Sequence, residues 1–289
     1  MTLAGRETAP STAPSRGRDE LEQIEIELLL EAVFRRYGFD FREYATPSLH
    51  RRLQRRIRAE GLATVSGLTE RILHDPSALQ ALVQDLSINV TAMFRDPGFF
   101  LAFRKQVVPL LRTYAFTRIW HAGCSTGEEV LSTAIVLEEE GVLSRTRIYA
   151  TDIDEAALSR ARAGVVPIAK ISEYARSYSL AGGRRALSDY YLPQGSEAAF
   201  RPALLESVVF ARHNLVCDRS FNEFNVIVCR NVLIYFGKLL QDRVHELFYD
   251  SLSTLGVLAL GPRESPRLTP RAPCYADLHA VHRLYRKMK

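Results

Sequence analysis

The sequence predicts an all-α N-terminal bundle followed by an α/β domain, a doubly wound, mostly parallel sheet that carries a small inserted subdomain. Three observations predict it. Residues 19–95 read as helices throughout, short apolar runs alternate with helical segments from residue 116 onward, and turn formers interrupt that alternation over about 165–212.

The first 18 residues, MTLAGRETAPSTAPSRGR, are rich in Ala, Pro, Ser, Thr and Arg and lack the apolar core of a signal peptide. They read as a disordered tail on a cytoplasmic protein. In DELEQIEIELLLEAVFRRYG the residues Leu30, Val33, Phe34 and Tyr37 share one helical face, and Gly38 ends the run. In SLHRRLQRRIR, Leu49, Leu53 and Ile57 form a stripe suited to a core, and Gly61 stops that helix. A third helix is expected after Thr64. A fourth opens at DPSALQALVQDL, with Asp75 as its cap and Pro76 in first position. Residues 96–115 are expected to form an amphipathic linker helix.

From 116 to 289 the rhythm changes. The runs RIWHAG, RIYATDID, FNVIVCRN and GVLALG read as strands, and helices are expected from Glu128, Glu155 and about Lys238. Parallel strands joined by helices form a sheet covered on both faces. The segment 165–212, with YYLPQGSEAAF, reads as a hairpin with a helix.

Composition narrows the class. The 289 residues are 47% hydrophobic and 25% charged, as in an ordinary globular protein. No run approaches the roughly 18 apolar residues of a membrane span. Cys124, Cys217, Cys229 and Cys274 form no C-x-x-C pair, which argues against a structural zinc or a disulfide framework. The net charge of +5 suggests an acidic partner.

Ligands of open α/β sheets lie beyond the carboxyl ends of the strands. The loop Gly123–Gly127 lacks the Lys of a P-loop and the third Gly of a dinucleotide motif. Glu128 and Glu129 follow it directly. They suit a helix N-terminus, and they also suit a cationic ligand while repelling a phosphate. Asp152, at the end of the second strand, can accept from both hydroxyls of a ribose, whereas Asp154 is placed to cap the next helix. Arg230 and Asn231 end a third strand. A ribose, a cationic amino-acid moiety and no phosphate together point to S-adenosylmethionine.

The blocks HAGCSTGEE, ATDID, HNL, FNVIVCRNVLIYF and NVTAMFRD, with the helical-domain stretch GFDFREYATPSLHRRLQRRI, closely resemble the chemotaxis receptor methyltransferases, the CheR family. The resemblance runs from about Gly38 to the C-terminus. It implies a methyltransferase fold that transfers a methyl group from S-adenosylmethionine to glutamate side chains of chemoreceptors. Carried onto this sequence, the family's cofactor contacts fall on Asn89, Thr91 and Arg95, on Glu128 rather than its neighbour Glu129, and on Asp152, Asn214, Leu215, Arg230 and Asn231. The block at 89–95 lies outside the predicted sheet domain, so the resemblance implies a linker that closes over the cofactor. The chain departs from the family pattern at Ala92, Val130, Val165 and Val166, and at Pro262 and Arg263 ahead of Glu264. Its inserted hairpin is also too short to suggest docking of a receptor's C-terminal peptide.

No Ser/His/Asp arrangement or metal cluster is evident, and His121 and His213 receive no role. A glutamate acceptor has an ordinary pKa of about 4.3, so it is already ionised at neutral pH and needs no general base. Tyr235 stands just beyond the third strand end. It is a candidate to hold the acceptor carboxylate, its alternative being a packed aromatic. Arg51 with Arg55, and Arg52 with Arg56, form i,i+4 rows of like charge that suit an acidic partner; under the resemblance this is a glutamate-bearing receptor helix. A monomer without membrane insertion is expected. The rival readings are a nucleic-acid methyltransferase, disfavoured because CRNVL lacks the prolines usual for exocyclic amines, and a non-catalytic cofactor-binding module.

Overall fold

The computed structural model describes residues 15–44, 46–87 and 91–289. The chain folds as two compact units. One holds the described residues up to Arg42 with Pro47–Leu82, the other Glu43–Thr46 with Val83–Lys289.

The first unit is built from helices α1 (Ser15–Tyr37), α2 (Thr46–Ala59), α3 (Val65–His74) and the first part of α4 (Pro76–Leu86). Leu49, Leu53 and Ile57 of α2 are buried as expected, whereas α1 buries Ile26, Leu29, Leu30 and Val33 and leaves Phe34 and Tyr37 of its expected face only partly covered. Thr64 caps α3 by accepting from the Gly67 N–H at 3.0 Å. Asp75 accepts from the Ser77 N–H at 2.9 Å ahead of Pro76. Part of the predicted tail, residues 1–14, lies outside the described residues. The rest, 15–18, is the first turn of α1, because extending a nucleated helix adds a hydrogen bond for each residue fixed.

The boundary expected at residue 95 falls instead after Leu82. The predicted linker helix is α5 (Pro97–Ala102), a π-turn (Phe103–Val107) and α6 (Val108–Leu111). Its Phe99, Phe100, Phe103, Val107, Val108 and Leu111 are buried in the core of the second unit, so it is part of that unit. The π-turn has a local cause. Pro109 offers no N–H and its ring crowds the carbonyl four residues back, so the chain widens and the Val108 N–H reaches Phe103 O.

The sheet unit continues with β1 (Thr117–Ala122), α7 (Glu128–Glu139), β2 (Thr146–Asp152), α8 (Glu155–Ala163), β3 (Val165–Pro167), α9 (Ile171–Leu180), β4 (Tyr191–Gln194), β5 (Glu197–Phe200), β6 (Val208–Arg212), β7 (Phe224–Cys229), α10 (Lys238–Ser251), β8 (Leu252–Leu260), β9 (Tyr275–His279) and β10 (Leu284–Lys287). Seven strands form one sheet in the order β6-β2-β1-β7-β8-β10-β9. The first five run parallel, and β10 is antiparallel to both its neighbours. Strand residues alternate between faces. Ile119, Ile148, Val226 and Val228 therefore pack in one core layer, and Trp120, Ile227, Cys229 and Leu258 in the other.

The inserted subdomain is a three-stranded antiparallel sheet, β3-β5-β4, with α9. It ends before residue 212, because Val208–Arg212 is β6, the outer strand of the main sheet. Its run Val208–Ala211 is apolar, but it follows the insert with no α-helix between them, so the strand–helix alternation does not mark it as a strand of the main sheet. A polar cluster ties the insert to its host. Glu139 accepts from Arg104, Tyr178 and Tyr190, while Glu140 accepts from Arg104 and from Arg112 at 2.8 Å. Among the described residues no helix is long and apolar enough to cross a membrane.

His245 on α10 is 1% exposed, and its Nδ1 has no hydrogen-bond partner among the described residues. Burial, only partly countered by Asp242, pushes its pKa down to about 4. An unfolded histidine titrates near 6.5 and so takes up its proton first as the pH falls. Stability should decline between about pH 6.5 and pH 4, by a total on the order of 3 kcal/mol from this residue. Denaturant midpoints measured across that range should lose this slope in His245→Leu.

Candidate functional site

The sheet has its switch point at β1, where the chain passes to β2 on one side and later returns with β7 on the other. A cleft opens beyond the carboxyl ends of these strands. It encloses about 910 Å³, counting its open mouth, and is lined by residues of the sheet unit alone.

The loop after β1 is shaped by close approach. Gly123 has φ +78°, and a Cβ there would stand 2.6 Å from Val232. Gly127 has φ +90°, and its Cβ would stand 2.8 Å from that of Ala161 on α8, so only glycine lets α7 start against its neighbour. Ser125 between them is also left-handed, at φ 52°. Its N–H donates to Asp152 Oδ2 at 2.8 Å, and the Asp154 N–H donates to Oδ1 at 3.0 Å. Each oxygen keeps a lone pair for a ligand hydroxyl. Burial pushes the Asp152 pKa up despite these bonds. Asp154 caps α8 through Ala156 and Ala157, as its position predicts.

Glu129, not Glu128, lines the cleft. Successive helix residues point about 100° apart, so only one of the pair can face a given groove. Glu128 turns away and accepts from Thr126 Oγ1 at 2.6 Å. Glu129 Oε2 accepts from Arg230 Nη1 at 2.8 Å, and Oε1 lies 3.3 Å from His121 Nδ1. Burial works to raise the Glu129 pKa, but Arg230 and His121 outweigh it and hold the carboxyl below its usual range.

Arg230 lines the cleft as a strut. Its second terminal nitrogen donates to Asp96 at 2.7 Å, and its guanidinium lies 4.0 Å from the centre of the Phe99 ring. Asn231 is left-handed at φ 61° and is held by a group the sequence motifs did not single out for this purpose. The buried Glu264 carboxylate accepts from the N–H groups of Asn231 (3.0 Å), Val232 (2.8 Å), Leu233 (2.8 Å) and Gly261 (2.6 Å). Its signal was the acid in GPRES, three residues after the glycine that closes β8.

Of the remaining expected contacts, Thr91, Arg95, Asn214, Leu215 and Tyr235 all line the same cleft. Thr91 and Arg95 belong to the sheet unit, so they are not on a linker outside it. Asn89 lies outside the described residues. His213, left without a role by the sequence, lines the cleft too, as does Tyr44, which no motif singles out. Tyr44 pairs with Phe236 as an isolated antiparallel bridge, their rings 5.2 Å apart, a long-range contact that no local pattern reveals. His213 donates or accepts at Nε2 to Arg219 O at 3.2 Å, and burial lowers its pKa.

The arginines of α2 belong to the other unit. Arg51 and Arg55 are exposed, while Arg52 and Arg56 are partly buried. Arg56 is compensated within its own unit. It pairs with Glu60 at 3.1 Å and donates to Ala81 O at 3.1 Å, because its position next to the core stripe turns it inward. Among the described residues no cluster suited to a metal ion occurs.

The donor set fits a nucleoside with a cationic tail. Asp152 offers a carboxylate with spare lone pairs, and Glu129 offers an ionised one. The strand order and this cleft at the switch point fit the class of S-adenosylmethionine-dependent methyltransferases, and the family match shows it. Residues 89–272 match the family model described as CheR methyltransferase, SAM binding domain, and residues 24–87 match its all-alpha domain. The chain belongs to the CheR methyltransferase family. It is 47% identical over 264 residues to the "Putative methyltransferase Cher3" of Pseudomonas putida, covering 91% of this chain and 97% of that one. It is 31% identical to the chemotaxis protein methyltransferase of Listeria innocua, over 80% of this chain and 86% of the relative. With that of Escherichia coli K12 the identity is 28%, over 81% and 82%.

Two substitutions test this framework. Glu264→Ala strands four N–H groups and should destabilise the protein by about 3 kcal/mol in chemical denaturation. Arg230→Met leaves two carboxylates without their shared cation and should cost about as much.

Proposed function

We propose that the chain methylates glutamate side chains of chemoreceptor-type signalling proteins, giving glutamyl methyl esters. One observation carries this reading: the two carboxylates that line the cleft are committed to its architecture. Asp152 accepts from the Ser125 and Asp154 N–H groups, and Glu129 holds Arg230 and His121. An amine or hydroxyl acceptor would call for a base, whereas a carboxylate is a nucleophile at neutral pH as it stands. The Listeria and Escherichia relatives, both chemotaxis protein methyltransferases by name, favour the same substrate class.

When bound, S-adenosylmethionine supplies a methyl group activated by a sulfonium. The chain's own part is to hold and orient. Asp152 takes the ribose hydroxyls, Glu129 the ammonium group, and Thr91, Arg95, Asn214, Leu215 and Asn231 complete the wall. Tyr235, at the cleft beside Phe236, orients the acceptor carboxylate through its hydroxyl. Holding two reactants in near-attack geometry can supply roughly 7–11 kcal/mol of the barrier. The exposed Arg51 and Arg55, with the partly buried Arg52, offer positive charge to an acidic acceptor helix.

With radiolabelled cofactor and receptor cytoplasmic fragments, base-labile label should appear on glutamates; label on RNA, or on no receptor fragment, would sink the reading. Asp152→Ala should abolish cofactor binding by calorimetry, and an unchanged affinity would count against the ribose assignment. In Tyr235→Phe, kcat should fall on the order of tenfold or more while cofactor affinity stays as it was.

A further inference from the structure

His121 sits near the end of the central strand β1, 1% exposed. Its Nε2 is buried and meets no hydrogen-bond partner among the described residues. Leaving a buried polar atom unsatisfied is costly, and an apolar side chain in that strand would avoid it. The contribution of the ring therefore lies at its other nitrogen, 3.3 Å from Glu129 Oε1.

Glu129 needs what that nitrogen supplies. Its Oε2 is fixed by Arg230, but Asp96 draws on the same guanidinium from the other side. With Oε2 alone held, the carboxylate can rotate about the bond to its chain. A donor at Oε1 removes that freedom. The two carboxylates, Glu129 and Asp96, share the single guanidinium, so Arg230 alone does not fix both oxygens of Glu129.

We propose that His121 is a positioning residue: its Nδ1–H fixes the Glu129 carboxylate so that the cleft receives the ammonium group of the cofactor's amino-acid moiety. This rests on the reading of Glu129 as the acid that faces the cofactor. A purely structural histidine would affect every ligand of the cleft alike. A positioning one affects ligands that carry the ammonium group.

The test compares binding of S-adenosylhomocysteine with that of 5′-methylthioadenosine, which keeps the adenosine and the thioether but lacks the amino-acid moiety. Calorimetry on the full chain serves for both. His121→Leu should weaken S-adenosylhomocysteine on the order of tenfold and leave methylthioadenosine unchanged. His121→Asn, whose amide N–H replaces Nδ1–H, should recover most of that loss. Equal losses on both ligands, or an Asn variant as weak as the Leu one, would overturn the proposal. Glu129→Gln separates the two layers. If it keeps the preference for the amino-acid ligand, the reading of Glu129 fails and the role of His121 goes with it. If it loses the preference while His121→Leu keeps it, the role of His121 alone fails.

Discussion

One buried guanidinium joins the walls of the cleft. Arg230, at the end of β7, binds Glu129 at the start of α7 and Asp96 ahead of α5, and its plane rests over Phe99. Three segments far apart in sequence thus share one charge. In a low-dielectric setting such a charge is tolerable only when it is paired with opposite charge, so the three segments must arrive together. The shape of the ligand site follows from that requirement.

The two carboxylates in the cleft illustrate how environment separates like groups. Asp152 is neutralised only by backbone N–H dipoles, and burial raises its pKa. Glu129 faces a full cation, and its pKa falls despite burial. The first suits hydrogen bonding to neutral hydroxyls, the second attraction of a positive group. Glu264 is a third case, raised by burial and directed wholly at backbone, with no part in the cleft surface.

Much of this was legible in the sequence because it is local. The strand ends at Asp152 and Arg230, the cap at Asp154 and the helix starts at Glu128, Glu155 and Lys238 all follow from period and punctuation. The apolar runs of β1, β2, β7 and β8 stand out because those strands are covered on both faces. What escaped is non-local or one-sided. β6 follows the insert without an intervening α-helix, so the strand–helix rhythm does not reveal it, and Tyr44 reaches the cleft through a bridge to a residue nearly two hundred positions away. The choice between Glu128 and Glu129 depends on the rotation of α7, which spacing alone leaves open. Arg56 looked like its neighbours in sequence, yet its place on the helix turned it toward Glu60 and Ala81.

The left-handed residues around the cleft have a consequence for how it meets its ligand. Phe94, Asp96, Ser125 and Asn231 all hold positive φ without being glycine. Such conformations typically cost on the order of 1–3 kcal/mol each and persist where surrounding contacts over-determine them. Here those contacts are internal: the Ser125 N–H on Asp152, the Asn231 N–H on Glu264, and Asp96 on Arg230. The loops are therefore shaped by the fold before any ligand arrives. Little ordering entropy remains to be lost on binding, and a chain with looser loops would recognise the same groups more weakly.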